Sequence, residues 1–117
     1  VSRGFAGDQE GLCNLIKQAM AHPGFSLVDV LQPCVTFNPD KSYIWYRQRI
    51  KPVESPTDDV LTGIKNSLWT DERISTGIIY RNARPAFHSN YPQLSKDSLL
   101  NTTGKKRDIQ NLLKTFN

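Results

Sequence analysis

The feature that most constrains this chain is a closed segment near its start. Asp8 opens a stretch in which Leu12, Leu15, Ile16, Ala19 and Met20 recur at helical spacing, and His22-Pro23-Gly24 ends it. An Asp at that place accepts hydrogen bonds from the free amides of a first helical turn, and proline cannot continue a helix. The segment is flanked by two strand candidates. Residues 1–5 can end a strand, with Gly4 and Gly7 flanking the turn that follows. Residues 25–31 read FSLVDVL, which is short, apolar and rich in β-branched side chains. That pattern suits a buried strand. Strand, helix and strand in so short a span make a βαβ unit, which requires parallel pairing and a right-handed crossover. No second copy and no internal repeat follow, so the unit is expected to be one part of a larger sheet.

The rest of the chain is patterned more weakly. Residues 42–50 hold Tyr43, Trp45 and Tyr46 and predict a short helix. The three aromatics are read as packing, with a binding platform as the other use. Residues 51–54 look like a connector. Ser55-Pro56-Thr57-Asp58 has the order of a helix start, with Ser at the N-cap and Pro in the first position, and Leu61, Ile64 and Leu68 would form the buried face of that helix. Residues 74–80 predict a strand, closed by Arg84-Pro85. From residue 88 to about 103 the chain is polar and turn-rich. Ile109, Leu112, Leu113 and Phe116 then fall at i, i+3, i+4 and i+7. A helix of that length is marginal alone in water, so it is expected to dock on another surface.

Composition narrows the classes. Hydrophobic residues make up 38% of 117, which is low for a self-sufficient core. Part of the apolar surface is therefore expected to be buried against something outside this sequence. The net charge is +4, with its excess in the second half, including Lys105-Lys106-Arg107. Such a surface attracts acidic partners or nucleic acid. The charge is scattered, however, and no basic stripe interleaves with aromatics, so a nucleic-acid function is not expected. Two cysteines are too few for a disulfide framework and suit a reducing compartment. No apolar run approaches membrane-spanning length, and no signal-peptide pattern opens the chain. A soluble cytoplasmic protein is the expectation. The chain starts at Val1, which suits processing or a fragment.

Few residues are placed to carry chemistry. Cys34 follows the second predicted strand directly, and open α/β sheets place ligands at the C-terminal ends of their strands. Pro33 stiffens the turn and takes the next side chain out of the strand's alternation. A thiolate there can ligate iron or zinc or act as a nucleophile, and a buried free cysteine is the alternative. Cys13 borders the apolar face of the first helix and reads as packing. His22 sits at a helix C-terminus, where a cation is mildly favoured. His88 lies in a polar stretch and reads as exposed and inert. Asp29 reads as solvent-facing or locally paired. The sequence holds no CxxC, no Cys/His pair with metal spacing, no phosphate loop, no G-x-G-x-x-G and no nucleophile elbow.

Arg3-Gly4-Phe5-Ala6-Gly7-Asp8, His22-Pro23-Gly24-Phe25 and then Asp29-Val30-Leu31-Gln32-Pro33-Cys34-Val35-Thr36-Phe37-Asn38 resemble the β subunit of 2-oxoacid:ferredoxin oxidoreductases. The likeness continues in YIWYRQR (43–49), Pro56-Thr57-Asp58, Ile79-Tyr80-Arg81 and Arg84-Pro85. It covers residues 1–91, and LQPCVTFN is its most specific part. The tail from about residue 95 is not part of the resemblance. The resemblance implies an enzyme that decarboxylates a 2-oxoacid on thiamine diphosphate with magnesium. Electrons pass through iron–sulfur clusters to ferredoxin, and acyl-CoA is formed. It further implies a 4Fe–4S cluster held by four cysteines of the β subunit, three near its N-terminus, with the fourth matched here by Cys34. The other three cysteines and the Gly-Asp-Gly signature for magnesium and diphosphate would then precede Val1. The VTFN ending suits the 2-oxoglutarate or broad-specificity branches better than the pyruvate branch.

The expected fold class is α/β: the terminal βαβ portion of a parallel-sheet thiamine-diphosphate-binding domain (1–40), a C-terminal α/β extension (41–94) and a tail with a docking helix (95–117). The expected partners are the α subunit, ferredoxin, a 2-oxoacid and coenzyme A, with neither nucleic acid nor membrane. Alone, this stretch would supply one cluster ligand and subunit packing, and it would be inactive. The competing readings are a non-catalytic basic α/β module that binds a partner through its last helix, and a small enzyme using Cys34 as nucleophile.

Overall fold

The computed structural model describes residues 1–92 together with Asn101, Ile109, Leu113 and Lys114. The expected tail helix over 109–116 lies largely outside the described residues. Two compact units are present, Val1–Arg84 and Pro85–Asn117.

The first unit opens with the βαβ unit that the sequence predicts. Strand β1 is Ser2–Phe5, helix α1 is Gln9–Ala21 and strand β2 is Val28–Leu31. Asp8 caps α1 as expected, its Oδ1 accepting from the Gly11 amide at 3.0 Å. β1 and β2 pair in parallel, Ser2 opposite Val28 and Phe5 opposite Leu31. Gly4 lets α1 lie directly on the sheet: a Cβ there would come within 2.6 Å of the Leu12 side chain. At the other end of α1, Gly24 turns the chain with φ of 117°, a conformation that only glycine adopts at no steric cost.

Helix α2 is Tyr43–Arg49, strand β3 is Ile50–Pro52, helix α3 is Val60–Ser67 and strand β4 is Ile74–Ile78. The sheet order is β2-β1-β4-β3. β4 runs antiparallel to β1 and parallel to β3, so the sheet is mixed. The α/β class is borne out. Phe5, Leu31, Tyr46 and Ile74 form the core, with Ile74 fully buried and Trp45 and Ile50 packed against it. Each fully buried aliphatic side chain stabilises the fold by roughly 1.5–3 kcal/mol.

Five expectations need correction. The second strand is neither as long nor as buried as residues 25–31 predict: it begins at Val28, and Asp29 and Val30 are exposed. Residues 51–54 are not wholly a connector, because Ile50, Lys51 and Pro52 pair with β4. The second predicted helix start fails. The N-cap is Asp59, whose carboxylate accepts from the Thr62 amide at 2.7 Å, and not Ser55. The backbone of Thr57 is instead held in a bridge to Tyr80, its amide donating to Ile79 and its carbonyl accepting from Arg81. Leu61, Ile64 and Leu68 do not form a buried face: all three are exposed, and Gly63 is the residue of α3 that is buried. Strand β4 stops at Ile78 rather than reaching residue 80. No helix among the described residues is long and apolar enough to cross a membrane.

In the second unit the described backbone forms a 3₁₀ turn at Phe87–Asn90, and the rings of Phe87 and Tyr91 meet with centroids 5.0 Å apart. His88 is exposed there, as its sequence setting predicts.

Candidate functional site around Cys34

The site lies at the C-terminal edge of the parallel pair. Both strands end together, and Ala6 donates to the Leu31 carbonyl at 2.9 Å, so the turns after β1 and β2 share one edge. Beyond Leu31 the chain alternates sharply: Gln32 is exposed, Pro33 is buried and Cys34 is exposed. The buried proline anchors the turn, and the thiol follows it outside the packed interior. The Cys34 carbonyl accepts from the Asn38 amide at 2.9 Å, and the Asn38 carbonyl accepts from Lys41 at 3.2 Å. The loop is therefore closed by its own backbone. Cys34 is a free thiol, and the buried-cysteine alternative does not hold in this structure.

The neighbouring turn is held from the side by α2. Ser42 caps this helix by accepting from the Trp45 amide at 3.3 Å. Arg47 donates to the Gly7 carbonyl at 3.3 Å. Tyr43 and Tyr46 pack on Phe5, with ring centroids 5.8 and 5.7 Å from it. Tyr46 is buried and meets Trp45 and Trp69 edge-on. The aromatic trio is thus packing, as expected. Trp45 has a further role: the Arg49 guanidinium lies 4.2 Å and the Lys41 ammonium 5.4 Å from its ring centre, distances at which cation–π attraction operates.

Asp29 is both exposed and paired across the strands. Its carboxylate accepts from Arg3 Nε at 2.7 Å. Arg3 also donates to the Ser67 carbonyl at 2.9 Å and lies 5.8 Å from the Trp69 ring centre. A cation beside the last carbonyls of α3 also suits the negative end of that helix. Sequence reasoning missed this bracket because its three parts are up to 64 residues apart. His22 caps α1 through its backbone amide, which donates to Ala19.

Cys13 is exposed on α1, so its reading as packing is corrected. The helix rests on β1 through Leu12 and Leu15, and the neighbouring face that carries Ile16 and Met20 is open. Among the described residues no three of His, Cys, Asp and Glu gather as a metal site. A shallow recess of about 280 Å³ is lined by Val1, Val60, Gly63, Ile64, Tyr80 and Arg84, mostly apolar and without a nucleophilic thiol or hydroxymethyl group.

Residues 34–96 match the family described as the C-terminal part of the pyruvate ferredoxin oxidoreductase β subunit. The chain is 32% identical over 123 residues to a 2-oxoacid:ferredoxin oxidoreductase subunit beta from Sulfolobus sp, covering 94% of this chain and 40% of that protein. It is 33% identical over 95 residues to the corresponding subunit of Saccharolobus solfataricus, covering 70% of this chain and 31% of the relative. The chain thus spans about two fifths or less of the length of these relatives. A solved structure of 2-oxoglutarate:ferredoxin oxidoreductase from Magnetococcus marinus, with 2-oxoglutarate, coenzyme A and succinyl-CoA bound, has the same fold. The TM-score is 0.73 at 23% identity, over 99% of this chain and 40% of that one. The family match covers more than half of the sequence and begins at Cys34 itself, so the chain belongs to the 2-oxoacid:ferredoxin oxidoreductase β-subunit family.

Proposed function

We propose that this chain is the C-terminal part of the β subunit of a 2-oxoacid:ferredoxin oxidoreductase, and that Cys34 supplies the fourth thiolate of a 4Fe–4S cluster. The observation that carries the proposal is an exposed, free thiol placed directly after a buried proline, at the C-terminal end of a parallel strand. Ligands in open α/β sheets lie at that end of the strands.

The donor set fits one corner of a cluster and no more. Cys34 is a single thiol without a gathered metal site among the described residues, so the other three thiolates come from elsewhere in the subunit. The same holds for the groups that bind thiamine diphosphate and magnesium. A cluster held there would supply one-electron relay chemistry between oxidation of the 2-oxoacid and ferredoxin. What this chain contributes is positional. β2 and Pro33 fix the Cys34 backbone, the Asn38 amide closes the loop behind it, and α2 braces the adjacent turn through Arg47. Preorganised placement of a ligand by rigid elements keeps it in position for its partner atoms.

By this reading residues 1–40 end the thiamine-diphosphate-binding domain, 41–94 form the β-subunit extension and 95–117 a docking tail. The partners are the α subunit and ferredoxin in the cytoplasm, and the chain alone is inactive. The coenzyme A and 2-oxoglutarate bound by the Magnetococcus enzyme support an oxoacid of that class and coenzyme A as substrates. The test is Cys34→Ser in the intact enzyme, read as iron and acid-labile sulfide per β subunit and as oxoacid-dependent ferredoxin reduction. The expected result is loss of about four iron atoms per subunit or a visibly labile cluster, with ferredoxin reduction down by at least about 100-fold. Unchanged iron content with unchanged electron transfer would remove Cys34 from the cluster.

A further inference from the structure

Helix α3 is packed on one side only. Gly63 lies against Tyr80, where a Cβ would come within 3.3 Å of the tyrosine side chain, and Asn66 and Ser67 are half-buried beside it. The other side carries Val60, Leu61 and Ile64, followed by Leu68 at the C-cap, and all four are more than half exposed. With 3.6 residues per turn these four fall within one arc of about 100°. Four aliphatic side chains exposed to this degree present on the order of 400 Å² of surface, the size at which an apolar patch marks an interaction site. The recess lined by Val60, Gly63, Ile64 and Tyr80 borders this stripe and offers a packing partner a hole for one side chain. The charges beside the stripe lie at opposite ends. Lys65 is the one charged residue within α3, and Asp58 precedes the helix. Both are exposed, and the one ion pair among the described residues joins Arg3 to Asp29 instead. Asp59 is engaged as the cap, so Asp58 is the acid left free at that end.

From this we infer that α3 packs antiparallel on α3 of a second copy of this chain, across a two-fold axis lying between Leu61 and Ile64. The inference rests on the reading of the chain as part of a β subunit, since the second copy is then a second β subunit of one enzyme particle. Self-complementarity chooses this occupant. A two-fold contact uses the same patch twice, so a patch that fits itself must carry its own counter-charges. With the axis between Leu61 and Ile64, Leu61 of each copy faces Ile64 of the other. At a rise of 1.5 Å per residue, Lys65 then stands about 3 Å along the axis from the level of Asp58 of the other copy, within reach of its ammonium. The same pair forms a second time at the opposite end of the contact. Charges at the rim set register and exclude other partners, while the aliphatic centre supplies the burial. With both flanks included, two copies bury on the order of 1,000 Å² in total, the lower end for a specific interface.

Sedimentation of the intact enzyme, with its full-length β subunit, tests the inference. The native particle is expected to hold two β copies, and Ile64→Arg, which sets a charge beside the axis on an exposed position, is expected to halve its mass. A native particle with a single β copy overturns the inference, and so does an unchanged mass in Ile64→Arg. Release of the α subunit by that variant gives the face to the α subunit and overturns it as well. A charge exchange reads the pairing itself. Lys65→Glu and Asp58→Lys are each expected to raise the dissociation constant of the particle into halves by at least about tenfold, and the double variant to return it to within about threefold of the native value. Losses that add in the double variant overturn the pairing of these two residues and the register built on it. Iron per β subunit, measured on the same samples, keeps the two readings apart. An unchanged mass in Ile64→Arg sinks the helix contact and leaves the ligand assignment standing. Undiminished iron in Cys34→Ser sinks the ligand assignment and leaves the mass result standing.

Discussion

On the β4 side of the sheet, Ile74 is wholly enclosed, Ser75 and Thr76 are buried, and Tyr46 from α2 seals the layer. On the β2 side, α1 has no buried residue, Met20 is 82% exposed, and the strand's flanks end in bare phenylalanines. Both regions hold secondary structure that is well formed and capped. The difference shows that local signals build elements without guaranteeing a core to receive them. Propensity and capping act within a turn or two, whereas burial depends on what lies across the layer. The half with the candidate ligand is the half that is left open.

The largest contrast is expected from core substitution. Ile74→Ala leaves a cavity in the closed region and should lower unfolding free energy by about 2–5 kcal/mol in urea titration. Met20→Ala, in the open region, should change the same quantity by less than about 0.5 kcal/mol in this 117-residue chain. Equal losses for the two would erase the distinction between the regions. An intermediate effect is expected where they join. Arg3→Ala removes the bonds to Asp29 and to the Ser67 carbonyl, which tie β2 and α3 to β1. The Asp29 side chain is about half exposed, so solvent weakens the ion pair, and a total loss of about 1 kcal/mol is expected by the same titration. A loss near zero would mean that the bracket does not couple the two sides.

The smallest expected effect is a pH dependence confined to the start of α3. Hydrogen bonding to Thr62, through its side chain and then its backbone, holds the Asp59 carboxyl below its ordinary value. A group whose pKa is lowered on folding stabilises the fold fully above its unfolded value, and the contribution is lost as pH falls through the folded value. Thermal midpoints should therefore drop more steeply below about pH 4 for the native chain than for Asp59→Asn. Parallel acid limbs would show that the cap carries no such linkage.

Much of this contrast was legible in the sequence, and the reason differs by region. Asp8, the helical spacing of the apolar residues from Leu12 to Met20, and the Pro23-Gly24 stop act locally, so the first βαβ unit follows from them. The low hydrophobic content and the expectation of surface buried elsewhere agree with the exposed Ile16, Met20 and Phe25. β3 escaped notice because it is three residues long, contains a proline, and is a strand only by pairing with β4 more than twenty residues on. Ser55-Pro56 offered a sound helix start, but the pairing of Thr57 with Tyr80 takes the backbone there, and Asp59 opens the helix instead. The apolar spacing of Leu61, Ile64 and Leu68 is helical in period, yet no layer covers it among the described residues. Cys34 was found from its place after a strand and a proline. Its loop closure by Asn38 is a backbone bond with no sequence signal beyond the asparagine.

The central claim is that the Cys34 sulfur is bonded to iron, and alkylation of the native, intact enzyme addresses it most directly. Iodoacetamide modification, mapped by mass spectrometry before and after removal of the cluster with an oxidant and chelator, reports on that sulfur by name. Cys34 is expected to be unmodified while the cluster is present and to become modified once it is removed, with Cys13 unchanged between the two conditions. Modification of Cys34 in the cluster-loaded enzyme, at the rate of an ordinary exposed thiol, would contradict it.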